Sequence, residues 1–193
     1  MSETQAGVIL RGKRRSDIAD DYAWRTDPEL ARLDARPAPR MRFEDFERAS
    51  IVALEFPAPG VLPFSIDADG EHVGNLVAYD IVPEESCEVG IVVGPEGCRG
   101  KGIGRNAMTA FLRHAWDGLG LQRVYLHTLE TNGPARASFE ACGFRPVARV
   151  QRQDWMLRYE VRRQWWLMED AAQRYPHRGR RAPGADGNEA VTS

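Results

Sequence analysis

The spacing of apolar side chains changes several times along this chain, and each change marks an element. Residues 7–10 read as a short strand, Ser16-Asp17 supplies a helix start, and Asp27-Pro28-Glu29 supplies another with proline at the first helical position. The polar segment around them carries Tyr22, Trp24 and Leu30. After a proline-rich break at 36–40, Phe43, Phe46, Ala49, Ile51 and Leu54 return at roughly helical spacing, which predicts a helix over 43–54. Pro57, Pro59, Gly60 and Pro63 end it. Residues 64–68 and 72–80 then read as two strands around Asp69-Gly70, a pair that favours a tight hairpin turn.

The centre differs in character. Residues 87–93 form a β-branched run without alternation, the pattern of a strand buried on both faces. A glycine-rich loop at 94–104 follows it. Ile103, Ala107, Phe111, Ala115 and Leu119 recur every fourth position and predict an amphipathic helix closed by Gly118 and Gly120. Residues 124–129 read as another buried strand, and Asn132-Gly133-Pro134 opens a short helix that stops at Gly143. Strand, loop, helix and strand make a βαβ unit, so the sheet is expected to be mixed and the fold α/β (α+β). No internal repeat is visible. Beyond residue 175 the composition turns to Pro, Gly and polar residues, which predicts a domain over 1–175 and a disordered tail over 176–193.

Composition narrows the choice of function. A chain of 193 residues with 42% hydrophobic content supports one core and hence one main site. The formal charge of -2 supplies no basic field, so no nucleic-acid partner is expected, and Arg178, Arg180 and Arg181 read as a solvated tail. No run approaches the roughly 20 apolar residues of a membrane span, and the first residues do not form a signal peptide, so a cytoplasmic protein without membrane contact is expected. Cys87, Cys98 and Cys142 are widely spaced without a CxxC pair, and His72, His114, His127 and His177 are equally scattered. Neither a disulfide framework nor a metal centre is expected from such spacing.

The loop at 94–104 invites three phosphate-binding readings, each resting on backbone N–H groups and a helix N-terminus aimed at an anion. A Walker A loop fails, because position 95 is Pro95 and Lys101 is followed by Gly102 rather than Ser or Thr. A dinucleotide fingerprint of the G-x-G-x-x-A form does match at Gly102, Gly104 and Ala107, with Glu130 further on. Against it, residues 94–101 intervene between strand and first glycine, and the chain is too short for two βαβαβ halves. The third match is Arg99-Gly100-Lys101-Gly102-Ile103-Gly104, an R-x-x-G-x-G sequence. This segment resembles the acetyl-CoA loop of the GCN5-related N-acetyltransferase (GNAT) family.

The resemblance extends over roughly 8–169. Residues 87–95 look like the strand before the family's cofactor loop, and 132–144, ending Glu140-Ala141-Cys142-Gly143-Phe144, look like its N-x-x-A…E-x-x-G-F segment. Residues 24–30 are similar to the branch containing ribosomal-protein N-terminal acetyltransferases. The resemblance implies a mixed, mostly antiparallel central sheet with a splayed central strand and flanking helices. It implies acetyl-CoA as acyl donor and a primary amine as acceptor, on a small molecule or a peptide N-terminus. Ile91, Val92 and Val93 would face the pantetheine, with an N–H near Val92 or Val93 for the oxyanion. Arg99, Gly100, Lys101, Gly102, Ile103, Gly104 and Arg105 would form the phosphate cradle, with Lys101 and Arg105 as charge partners. Asn132 would contact the cofactor or cap its helix. Glu88 is the candidate base, or else orients the substrate.

Acceptor basicity bears on that role. An α-amine of pKa about 8 is roughly 10% neutral at pH 7, against less than roughly 0.1% for a lysine of pKa about 10.4, so a weak base suffices for a peptide N-terminus. One position departs from the family: Phe139 stands where many members carry a tyrosine that protonates the leaving thiolate. Phenylalanine cannot donate, which leaves water, Tyr125, Tyr79 or an unprotonated thiolate, and also leaves open a CoA-binding protein without catalysis. Two final strands with a long connecting loop are implied by the family, and Trp155, Tyr159, Trp165 and Trp166 read as core or homodimer packing.

Overall fold

The computed structural model describes residues 7–33, 38–152 and 154–174, with nothing said of the side chains of 171–174. The chain opens with strand β1 (Val8–Gly12), a single 3-10 turn (Arg15–Asp17), and helices α1 (Ile18–Thr26), α2 (Pro28–Leu33) and α3 (Phe43–Glu55). The hairpin of β2 (Leu62–Ala68) and β3 (Glu71–Val82) turns at Asp69 and Gly70, both with positive φ, as the Asp-Gly pair requires. Strand β4 (Ser86–Val93) leads through the cofactor-like loop to α4 (Ile103–Asp117) and β5 (Arg123–Leu129). Helix α5 (Gly133–Glu140), strands β6 (Arg145–Gln151) and β7 (Trp155–Arg162), and helix α6 (Arg163–Arg174) complete it.

The strands form one seven-stranded sheet in the order β1-β2-β3-β4-β5-β7-β6. Every neighbouring pair is antiparallel except β4 and β5. That sheet is not the doubly wound parallel sheet of a dinucleotide fold, which removes the nicotinamide reading of the glycine loop. One face carries α4, whose Ile103, Ala107, Met108, Phe111, Leu112, Ala115 and Trp116 are buried against Leu76, Ala78, Cys87, Val89, Val124 and Leu126. Each of the larger side chains, Ile103, Met108, Phe111 and Leu112, contributes about 1.5–3 kcal/mol of burial, so α4 is fixed to the sheet at its apolar stripe.

Two expectations are corrected. Strand β4 is buried on both faces only over Ser86–Val89; from Gly90 to Val93 it is partly open. The last two strands are separated only by positions 152–154 rather than by a long loop, since β6 ends at Gln151 and β7 begins at Trp155. The segment with Trp165 and Trp166 belongs to α6, where Trp166 is buried against the core cluster. The apolar positions 165–168 form one unbroken run after arginines, a run too short for its period to distinguish a helix from a strand. The tail at 176–193 lies outside the described residues.

Candidate active site

The site follows from where β4 and β5 stop pairing. Parallel register runs only through Ser86↔Arg123, Cys87↔Val124 and Glu88↔Tyr125. Beyond Glu88 the strands part, while β4 stays paired with β3 as far as Gly74↔Val93. The Gly94 N–H bonds to the Val73 carbonyl at 3.0 Å. By the alternation of an antiparallel ladder, Val92 therefore directs its main chain toward β3, whereas Ile91 and Val93 direct theirs into the opening. A ligand lying there meets main-chain groups that the pairing with β3 does not use, although the Val93 carbonyl is taken by Arg99.

At the outer end of β4, the loop delivers the chain to α4. Gly100 and Gly102 adopt φ of +72° and +80°, a conformation that favours glycine, and Gly102 is the residue before the first helical turn. Its carbonyl takes the Asn106 N–H, leaving the N–H groups of 103–105 without intrahelical partners. These N–H groups and the helix dipole suit a pyrophosphate, with the exposed Lys101 and Arg105 as charge partners. A Cβ added at Gly104 would lie 3.6 Å from Val93 Cγ2 and 4.0 Å from Ile91 Cδ1, so the first turn of α4 closes directly on the end of β4. The Ile103 side chain is buried, so only its backbone can face a ligand. Arg99 braces the loop: its Nε donates to the Val93 carbonyl at 3.2 Å, one terminal nitrogen to the Gly94 carbonyl at 2.7 Å, and the other pairs with Glu29 at 3.1 Å. A Cβ at Gly94 would overlap the Trp24 indole, so α1 also rests on this loop.

The closed end of the opening is polar. Glu88 is 5% exposed, and its Oε1 accepts the Tyr79 hydroxyl at 2.8 Å and lies 2.8 Å from His127 Nδ1. Tyr79 pairs with Glu88 in register, and His127 lies two residues beyond Glu88's partner Tyr125, so all four share one sheet face. The Tyr125 ring meets His127 edge-on at 6.2 Å and stacks under Arg158 at 4.5 Å and Arg123 at 5.5 Å. Burial first, and then the nearby Glu88 and Asp80 carboxylates, push the Tyr125 phenol above its ordinary range, so it remains a hydrogen-bond donor at neutral pH.

Asn132 caps α5, its Oδ1 accepting the Ala135 N–H at 3.2 Å. Phe139 is half-buried, 6.0 Å from the Phe144 ring and 6.4 Å from the Tyr159 ring. The Tyr159 hydroxyl donates to Glu140 at 2.8 Å and accepts from Arg136 at 3.2 Å, and burial raises its pKa. Sequence reasoning passed over His127. Its signal lay in the alternation of 123–129, where Arg123, Tyr125 and His127 fall on one side of the strand and Val124, Leu126 and Thr128 on the other.

A glycine cradle at a helix start, set against a strand parted from its parallel neighbour, is the deciding geometry, and residues 8–145 match the acetyltransferase (GNAT) domain family. The chain belongs to the GNAT acetyltransferase family. It is thus an acetyl-CoA-dependent N-acetyltransferase. No curated protein matches the chain. Solved structures share the fold. Spermidine N-acetyltransferase from Vibrio cholerae, in complex with CoA and spermine, is 21% identical with a TM-score of 0.73 over 86% of this chain and 99% of that one. The aminoglycoside acetyltransferase AAC(6')-Ib in complex with coenzyme A is 17% identical with a TM-score of 0.71, over 85% of this chain and 99% of that one. A protein of unassigned function from Bacillus halodurans is 14% identical with a TM-score of 0.72, over 88% of this chain and 91% of that one. Within this GNAT fold, no helix among the described residues is long and apolar enough to cross a membrane.

Proposed function

We propose that this GNAT enzyme acetylates a primary amine of modest basicity, the α-amine of a peptide N-terminus or a small molecule like it. The observation that carries this reading is the buried Tyr79–Glu88–His127 cluster at the point where β4 and β5 part. Glu88 remains the acidic group nearest that point on β4, and such a cluster of weak proton acceptors suits an amine already partly neutral at pH 7. Ile91, Val93 and the first turn of α4 would hold acetyl-CoA, which supplies the activated acyl group.

The surroundings favour this acceptor over a polycation. Arg152 lies 3.4 Å from His127, Arg158 is its register partner on β7, and Arg123 stands beyond Tyr125. Two of the structural neighbours named above are an aminoglycoside and a spermidine acetyltransferase; Arg123 and Arg158 share Glu160, at 3.5 and 3.1 Å, so it is chiefly Arg152 that would oppose a polyamine here. The similarity of residues 24–30 to ribosomal-protein N-terminal acetyltransferases points the same way.

Acetyl-CoA should raise the melting temperature, because ligand that binds only the native loop stabilises it by linkage, and NADH should not. Release of free CoA should then be faster with peptides bearing a free α-amine than with spermidine or kanamycin. A second reading, a CoA-binding protein without turnover, rests on Phe139. A CoA-induced shift with no CoA release from any amine would establish that reading and overturn the proposed one.

A further inference from the structure

We propose that His127 takes the proton from the acceptor amine and that Glu88 positions it. The inference rests on the acetyltransferase reading and divides its proton chemistry between two residues. Glu88 is poorly placed to meet an amine itself. Exposure does not separate the two, the Glu88 and His127 side chains being 7% and 9% exposed, but Glu88 sits at the last position of β4 still paired with β5 and its Oε1 already serves two donors. His127 lies past the last paired residue of β5, where the strands have separated.

The tautomer follows from the contact. An ionised carboxylate only accepts hydrogen bonds, so at 2.8 Å the Nδ1 atom carries the proton and donates to Glu88. That leaves Nε2 with the free lone pair, the basic nitrogen of the ring. The charged and titratable groups facing the imidazole are Tyr79 from β3, Glu88 from β4, Tyr125 from β5, Arg158 from β7 and Arg152 from the turn between β6 and β7. Arg152 can only donate, so its 3.4 Å approach to a protonated Nδ1 is not a hydrogen bond and places positive charge beside the ring. Tyr125, edge-on at an interplanar angle of 89°, limits rotation of the imidazole.

The step balances. The acceptor nitrogen forms a bond to the acetyl carbonyl carbon, and the C–S bond breaks with its electron pair leaving on sulfur. The proton displaced from nitrogen passes to His127 Nε2 and from there, through solvent, to the thiolate. Products are the acetylated amine, free thiol and neutral imidazole. Glu88 holds Nδ1 and faces the imidazolium while it lasts, and Tyr79 holds Glu88.

Two measurements test this. Nitrogen NMR of the full chain with labelled histidine, the His127 signal being the one missing from His127→Gln, should show the Nδ1–H tautomer. The Nε2–H tautomer would overturn the proposal whether or not any acceptor is known. The second measurement is kcat against pH at saturating α-amine peptide. His127→Gln should lose about 100-fold in kcat and the imidazole's acid limb, leaving only a rise set by the amine's own deprotonation at pKa about 8, while still binding acetyl-CoA. Glu88→Gln, which can still accept the Nδ1 proton, should keep the limb and lose only about tenfold. A limb kept in His127→Gln and lost in Glu88→Gln would make Glu88 the base. Should His127→Gln not fold, as judged by its thermal melt, His127→Asn replaces it with the same expectations. If wild type acetylates no amine, the proposed function fails, and the tautomer still decides the positioning claim.

Discussion

The β1–β2 edge and the parting of β4 and β5 each bury a carboxylate, and they treat it in opposite ways. Asp17, 2% exposed, accepts from both terminal nitrogens of Arg11 at 2.7 and 2.9 Å, from Ser65 at 2.7 Å and from the Arg14 N–H at 2.8 Å. Arg11 is itself shared with Asp67 at 2.7 Å. Burial alone would raise the Asp17 carboxyl, but the Arg11, Ser65 and Arg14 bonds outweigh it and hold the group well below the usual carboxylate range. Glu88 has the phenol of Tyr79 and the imidazole of His127, with no arginine or lysine within ion-pair distance among the described residues. A permanent cation locks a carboxylate in one charge state. A titratable partner leaves it able to support proton movement.

Exchanging the losses would break this comparison. Asp17→Ala leaves Arg11 with Asp67 as its remaining carboxylate and deprives the Ser65 hydroxyl and the Arg14 N–H of their acceptor, and should cost about 1.5–3 kcal/mol of stability, with kcat/KM within about threefold of wild type wherever the variant is folded. Glu88→Ala should lower kcat/KM about 100-fold, with a stability loss of about 1–3 kcal/mol from the hydrogen bonds to Tyr79 and His127 that it removes. Urea unfolding and steady-state assays on both variants decide. Asp17 also sets a pH dependence whose sign is fixed. Because its folded pKa is depressed, its contribution is complete above the unfolded value of about 3.9 and is lost as pH falls below that toward the folded value. The gap in unfolding free energy between wild type and Asp17→Asn should therefore persist at pH 5, where His72 at 3.8 Å also faces Asp17, and narrow by pH 3. A gap that widens at pH 3 would show that Arg11 does not hold Asp17 as described.

Gly104 sharpens the comparison from the cofactor side. A Cβ there meets only ordinary contacts with Val93 and Ile91, so Gly104→Val should fold, while its γ-methyls enter the space between α4 and β4. Acetyl-CoA affinity should fall at least about tenfold, read as loss of most of the ligand-induced thermal shift. Unchanged affinity in the folded variant would move the pyrophosphate away from this turn.

How much of this was readable from sequence differs between the same regions. The hairpin at Asp69-Gly70, the glycine loop, α4 and the cap at Asn132 all announce themselves locally, through turn chemistry or a 3.6-residue period. The buried carboxylates do not. Asp17 meets Asp67's partner Arg11 and also Ser65 across the sheet edge, and His127 meets Glu88 across 39 positions, so neither cluster exists until β-pairing is known. Glu88 was visible as the one ionisable residue in its strand, whereas the histidine beside it looked scattered among four. The shift from a fully to a half-buried β4 likewise depends on where β5 turns away, which no property of 86–93 records.

The smallest effect concerns the leaving group, where Phe139 lacks the proton that a tyrosine would carry. Its ring packs beside Phe144 and Tyr159 on α5, and the Tyr159 hydroxyl is already engaged with Glu140 and Arg136. Phe139→Tyr adds one oxygen to a half-buried ring with little change in volume. A thiolate of ordinary pKa near 8.5 already departs tolerably at neutral pH, so a phenol there should raise kcat by at most about tenfold, or about 1.4 kcal/mol in the barrier. Phe139→Ala should instead weaken acetyl-CoA binding and cost about 3 kcal/mol or less of stability, because the site is only half buried. The two variants separate proton supply from packing: kcat should move in the tyrosine variant and Kd in the alanine variant. Were Phe139→Tyr to change Kd and leave kcat untouched, the ring would be a wall of the cofactor channel with no bearing on the thiolate. The contrast drawn between Asp17 and Glu88 would then hold for the amine proton alone.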